Sequence, residues 1–167
     1  MDANASLWAG DLRWTFSQLR SGDALLAAYS TKRWGRTTEV AHADGTLKLE
    51  LLQRTLVVRD ELNDIVASMP GVNLEQGTLT LANGRAYLWS SSPLERPPWR
   101  DRIFGAKRWQ FARPEGVAPV VEFVPHFGFF TLASADVTVS SSATDNPDLL
   151  LLSACGWHLI LRRLNDE

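Results

Sequence analysis

The chain has 167 residues, 45% apolar and 22% charged, with a formal net charge of −2 and a pI near 5.9. A chain of this length buries roughly 70% of the surface its unfolded form exposes, so one domain spanning it needs neither disulfide nor metal to hold a core. Its lone cysteine, Cys155, excludes an intramolecular disulfide and Cys-based zinc spacing, and a mildly acidic balance fits poorly with a dedicated nucleic-acid domain, which is typically basic. Met1 to Ala5 carries neither the basic start nor the apolar run of a secretory signal, and no 18-residue apolar segment occurs, so a cytoplasmic, non-spanning protein is expected.

Short alternating segments follow one another from the start. Leu12, Trp14 and Phe16 share one side of a short strand, with Asp23 to Tyr29 as its partner across a Ser21-Gly22 turn. Thr37 to Ala43 and Thr46 to Leu52 flank Asp44-Gly45, a favoured hairpin dipeptide, with Leu47, Leu49 and Leu51 on one face. Arg54 to Arg59 continues as a strand, Asp60 to Asp64 is a polar turn, and Ile65 to Met69 runs to the break at Pro70-Gly71. Thr78 to Ala82 and Arg85 to Ser90 form a second hairpin across Asn83-Gly84, with Tyr87 and Trp89 on one face. Ser91 to Trp99 holds three prolines and no period, which predicts a surface loop. Arg108 to Ala112, Val120 to Val124 and Asp136 to Ser140 read as strands, and Phe127 to Leu132 is apolar enough to be buried on both sides.

The chain then changes period. Asn146 can cap a helix, Pro147 suits a first turn, Asp148 meets the positive end of the dipole, and Arg162-Arg163 meet the negative end. This predicts a helix over about 147–163. Between Leu149 and Leu161 only Ser153 and His158 carry polar side chains, so the helix is apolar all round and must be enclosed. Thirteen residues span roughly 20 Å, short of a bilayer core of roughly 30 Å, so the enclosure is protein. About ten to twelve short strands with hairpin-like turns suit a mainly β fold: a closed antiparallel barrel, its edges removed by closure and its lumen filled by the helix. The rival arrangement, two packed sheets with the helix over one, calls for a polar helix face that this segment barely has.

This arrangement resembles the tubby-like β-barrel superfamily, which includes tubby C-terminal domains, LURP-one-related proteins and phospholipid scramblases. The resemblance is one of layout, carried by the Gly77 to Trp89 hairpin and the Asn146 to Arg162 helix, and is nearest to small bacterial members. It implies twelve strands round a central C-terminal helix over nearly the whole chain. Many eukaryotic members bind or move membrane lipid, but none of their ligand residues aligns onto positions here.

Candidate sites come from the residues themselves. Arg96, Arg100, Arg102, Lys107, Arg108 and Arg113 face a single acid, Asp101, across Arg96 to Arg113, with Trp99 and Trp109 interleaved; Lys32-Arg33-Trp34-Gly35-Arg36 repeats the combination. Cations beside tryptophan grip phosphates at a lipid interface or stack the bases of single strands. Equally, Arg108 to Ala112 can point Trp109 and Phe111 inward and leave its arginine solvated, as most charge runs are. Seven tryptophans in all can build a core, cover a helix or mark a binding face. Cys155 and His158, three apart on one helix face, could begin a nucleophilic pair, but burial would hold both neutral. His126 follows Glu122 by four residues, roughly 13 Å along a strand, and His42 has no evident partner. No metal spacing, Gly-rich phosphate loop or nucleophile elbow occurs. The expectation is a non-catalytic binding or scaffold module without cofactor. Its partner is anionic lipid headgroups, met at the membrane periphery through the Trp-basic loop, or else another protein; an enzyme built on the Cys/His pair is the weaker alternative.

Overall fold

The computed structural model describes residues 7–31, 37–71, 75–95, 107–116, 118–127 and 132–165. Twelve strands are laid down in chain order: β1 (Leu12–Thr15), β2 (Gln18–Ser21), β3 (Ala24–Thr31), β4 (Thr37–His42), β5 (Gly45–Leu52), β6 (Thr55–Arg59), β7 (Ile65–Met69), β8 (Gln76–Leu81), β9 (Ala86–Pro93), β10 (Lys107–Ala112), β11 (Pro119–Phe127) and β12 (Leu132–Val139). Each pairs antiparallel with the next, and β12 returns to β1 with Leu12 opposite Val137, which closes the barrel. A 3-10 turn, Ser141–Ala143, leads into helix α1, Leu149–Asn165.

The helix runs through the barrel. Its residues 152–160 are all buried, it packs against β5, β10, β11 and β12, its side chains bond to Trp14 on β1 and Tyr29 on β3, and Asp148, just before its first residue, bonds to Tyr87 on β9. Contact with strands all round the wall is what an all-round apolar helix requires. Gly156 sets the closest approach. A Cβ built on it would overlap Cζ and Cε2 of the fully buried Phe123 ring on β11, the latter at 2.5 Å. Elsewhere along the helix Trp157 lies flat on Trp14, ring centroids 5.8 Å apart and planes 5° from parallel. Trp89 stacks on Trp109 at 5.3 Å and meets the Phe111 and Phe123 rings. Four of the seven tryptophans therefore build core, and Trp8 packs against its edge; Trp34 and Trp99 lie outside the described residues.

The antiparallel order sorts every reversal to one of two rims. Gly22–Asp23, Ala43–Asp44, Asp60–Asp64, Ala82–Arg85 and Arg113–Gly116 lie at the entry rim, where α1 begins. Phe16–Ser17 and Gln53–Arg54 lie at the exit rim, where α1 ends, together with the strand ends Met69 and Gln76 and those that flank residues 32–36, 96–106 and 128–131.

Several local expectations shift. Phe16 does not continue the inward row of Leu12 and Trp14: the chain reverses there, β2 intervenes before β3, and Phe16 is 68% exposed. The first dipeptide hairpin turns at Ala43–Asp44, since His42 pairs with Gly45, which takes a φ of 142°. Gln53 and Arg54 make a tight turn with φ of 47° and 64°, a left-handed pair unusual for residues with side chains. Phe127 and Leu132, expected in one doubly buried strand, are opposite each other in β11 and β12. Helix α1 begins at Leu149. Asn146 acts one turn earlier, its Oδ1 accepting the Asp148 N–H at 3.0 Å, and the Asp148 carbonyl takes the first helical N–H, from Leu152.

Two substitutions test the enclosed helix. Leu152→Asp places an unpaired charge where exposure is 0%, and we expect loss of the cooperative fold, a penalty above about 4 kcal/mol, read by circular dichroism and urea titration. Gly156→Ala should cost about 1–3 kcal/mol by overpacking against Phe123; much of that loss should return in Gly156→Ala/Phe123→Leu, and an unchanged melting temperature for the single variant would contradict the contact.

Candidate functional site

The basic run does not form one patch. Lys107 opens β10 at the exit rim and Arg113 follows its other end at the entry rim, six residues or about 20 Å apart along a strand. Two of the three described cations of the run are paired: Lys107 Nζ donates to Glu75 Oε1 at 2.6 Å, and Arg108 Nε lies 3.3 Å from Glu122 Oε1 across the outer wall. Alternation points Trp109 and Phe111 inward and leaves Arg108 exposed, as the pattern predicted. Lys32, Arg33, Trp34, Arg96, Trp99, Arg100 and Arg102 lie outside the described residues.

Cys155 and His158 are sealed in the lumen. The thiol is fully buried, and burial pushes its pKa up. Burial, with the charge of Arg162, drives His158 down to about 3, so its ring is neutral at any ordinary pH. Its Nδ1 shares a 2.9 Å hydrogen bond with the Tyr29 hydroxyl, and burial holds that phenol above its usual range. A thiol kept protonated beside a histidine kept neutral is a poor nucleophilic pair. Ser153, the other polar side chain of the buried stretch, accepts from Trp14 Nε1 at 2.9 Å. Thr38 Oγ1, Trp157 Nε1 and His158 Nε2 are buried without a protein partner among the described residues.

Two constellations were not visible in the sequence. On the outer wall His126 Nε2 lies 2.6 Å from Asp136 Oδ2, and Arg13 Nε donates to Oδ1 at 2.8 Å. Partial burial would raise the Asp136 pKa, but the hydrogen bonds from His126 and Arg13 outweigh it and hold the carboxyl below its usual value. His126 therefore partners Asp136, while Glu122 serves Arg108. His42 accepts the N–H of Asp44 at its own hairpin, a local turn contact of 3.3 Å.

The second constellation closes the entry rim. Tyr87 donates to Asp148 Oδ2 at 2.7 Å and accepts from Asn146 Nδ2 at 3.0 Å, while Arg85 Nη2 donates to Asp148 Oδ1 at 3.0 Å. Asp148 is buried and stands at the positive end of α1, where its charge is favoured. Burial, then the neighbouring carboxylate, raises the Tyr87 pKa and keeps its proton on the bond to Asp148. The Asn83-Gly84 turn and the Asn-Pro-Asp helix start were each legible; their meeting across about sixty residues was not.

No group of three or more potential metal ligands occurs among the described residues, and no described helix is long and apolar enough to cross a membrane. Compared with models of known families, with curated proteins and with solved structures, the chain matches none.

The buried histidine ties stability to pH. Above about 6.5, its ordinary pKa, folded and unfolded chains both hold it neutral; below that the unfolded chain takes a proton that the folded one refuses until about 3. Stability should therefore fall as pH drops from 6.5, by at most ~1.4 kcal/mol per unit. Asp136, with its lowered pKa, adds to the loss only near and below its ordinary 3.8. Urea midpoints between about pH 7 and 4.5 should decline in the native sequence and flatten in His158→Gln; equal slopes in the two would refute the assignment.

Proposed function

We propose that this protein is a non-catalytic binding module that recognises anionic lipid headgroups through its two Trp-basic segments, and that its barrel is of the tubby-like kind. The observation that carries the lipid reading is strand polarity. The strand ends flanking residues 32–36, between β3 and β4, and residues 96–106, between β9 and β10, leave the same rim, and the last turn of α1 brings Arg162 to that rim. Because α1 fills the barrel, contacts with a partner fall to rims and outer wall. Segments rich in lysine, arginine and tryptophan suit a negatively charged interface, where each added cation contributes about 1 kcal/mol and tryptophan settles among headgroups. The tubby-like reading rests on layout: twelve antiparallel strands closed round a C-terminal helix. A cytoplasmic protein meeting the membrane peripherally is the corresponding location.

A second reading, a protein-interaction module, draws on Leu62, Leu25 and Ile65, which are 78%, 52% and 50% exposed toward the entry rim. Closure of the barrel removes strand addition at a sheet edge as its mechanism. Ionic strength separates the two readings, since headgroup contacts weaken with salt and apolar docking does not.

Co-sedimentation with neutral and anionic vesicles at low and physiological salt tests the proposal. Binding should be confined to anionic vesicles and fall with salt, and Arg100→Glu/Arg102→Glu should reduce it by about tenfold or more at an unchanged melting temperature. Absence of binding at both salts, or binding indifferent to the reversals, would overturn it.

A further inference from the structure

At the entry rim, away from the proposed lipid contact, two neighbouring hairpin tips flank an open cleft of about 470 Å³ lined by Gly84, Arg85, Tyr87, Arg113, Pro114 and Glu115. Its size falls within the roughly 300–1,000 Å³ of small-molecule sites. β9 and β10 are paired, with Leu88 opposite Ala112, so the tips that precede β9 and follow β10 stand side by side. The walls are fixed by short backbone bonds: Gly84 N–H to Leu81 O at 2.9 Å, Leu81 N–H to Arg85 O at 2.8 Å, and Gly116 N–H to Arg113 O at 3.1 Å. Gly84 holds a φ of 85°, a turn that a side chain would strain.

The chemistry of the lining is that of an acid-binding cleft. Arg85 is held by Asp148 through Nη2, its one side-chain partner among the described residues, which leaves the rest of its five-donor fork for another acceptor. Asp148 is in turn fixed by Tyr87 and by the helix start, so its charge is met from several sides and does not consume the whole guanidinium. Arg113, two residues beyond the buried Phe111, supplies a second, exposed guanidinium. A carboxylate or phosphate group is the acceptor whose planar or tetrahedral oxygens suit two such forks. Glu115, also in the lining, lowers the net positive charge of the cleft, so binding there depends on directed hydrogen bonds to the two guanidinium groups more than on charge alone.

We infer that this cleft is a binding site for a small molecule bearing a carboxylate or phosphate group, gripped between Arg85 and Arg113 and restrained by Glu115. The site is independent of the lipid reading: of the basic run Arg96 to Arg113 it takes only the last residue, Arg113, which β10 carries to the rim opposite the strand ends that flank residues 32–36 and 96–106.

The test is a nitrogen–proton NMR titration of the full chain with inorganic phosphate and, separately, with succinate, each against chloride at matched ionic strength. Saturable shifts should be confined to residues 84–87 and 113–116. Arg113→Gln should weaken them by about tenfold and Glu115→Gln should tighten them, both at an unchanged melting temperature since both side chains are exposed. Saturation by phosphate alone would assign a phosphorylated ligand, and by succinate alone a carboxylic one. No saturation with either, an equal response to chloride, or affinities unmoved by both substitutions would overturn the proposal.

Discussion

The approach of Gly156 to the ring of Phe123 sets the spacing on which the rest of the molecule depends. Twelve strands closed on themselves leave a lumen that side chains alone do not fill, and α1 is apolar on too many faces to lie on any open surface. Each needs the other, and the separation between them is decided where the helix has no side chain at all. With the axis drawn toward β11 at that point, the remaining gap is taken up by large aromatic groups: Trp157 flat on Trp14, and the Trp89, Trp109 and Phe111 cluster. Tryptophan-rich composition here is a matter of diameter. Smaller residues would leave voids, each costing free energy in proportion to its volume.

Threading a helix through a barrel also fixes where polar groups can go. Ser153 and His158 are tolerated because strands supply their partners, Trp14 and Tyr29. These bonds specify the rotation of the helix more than they stabilise it, since a net gain of about 1 kcal/mol each is comparable to the cost of Trp157 Nε1 and His158 Nε2 beside them, which have no partner among the described residues. At the entry rim the same logic acts on a charge. Asp148 is buried, yet the helix dipole, Tyr87 and Arg85 surround it, so removing one partner would expose the desolvation penalty that the others leave uncovered.

Much of this was legible in the chain, and the failures have physical causes. The helix, its all-round burial and the Asn83-Gly84 hairpin follow from local signals: a change of period, capping types, and a glycine that takes a positive φ. The Gln53–Arg54 turn carried no such signal, because both residues adopt the left-handed region without being types that favour it; pairing of Leu52 with Thr55 imposes it. Phe16 satisfies the strand alternation but sits at a reversal, and alternation alone does not say where a strand stops. The partnership of Arg85 with Asp148 and that of His126 with Asp136 depend on which loop tips and which wall positions closure brings together, and closure is a property of the whole sheet.

The same geometry decides how the charges should be interpreted. Along the sequence, Arg96 to Arg113 is one basic run; in the barrel, β10 separates Lys107, at the exit rim, from Arg113, at the entry rim. Lys107 and Arg108 are balanced by Glu75 and Glu122, acids supplied by other parts of the sheet, whereas Arg113 joins Arg85 in a cleft assembled from two hairpin tips. A strand spaces charges by about 3.3 Å per residue and turns alternate ones to opposite faces, so a run longer than a few residues is dispersed rather than concentrated. Concentration arises where reversals meet. In an antiparallel barrel every second reversal returns to the same rim, and residues distant in sequence are gathered there against a helix end whose dipole already favours one sign of charge. The two rims of this protein are therefore electrostatically distinct by construction: the positive end of α1 and a buried aspartate lie at one, and its negative end with Arg162 at the other.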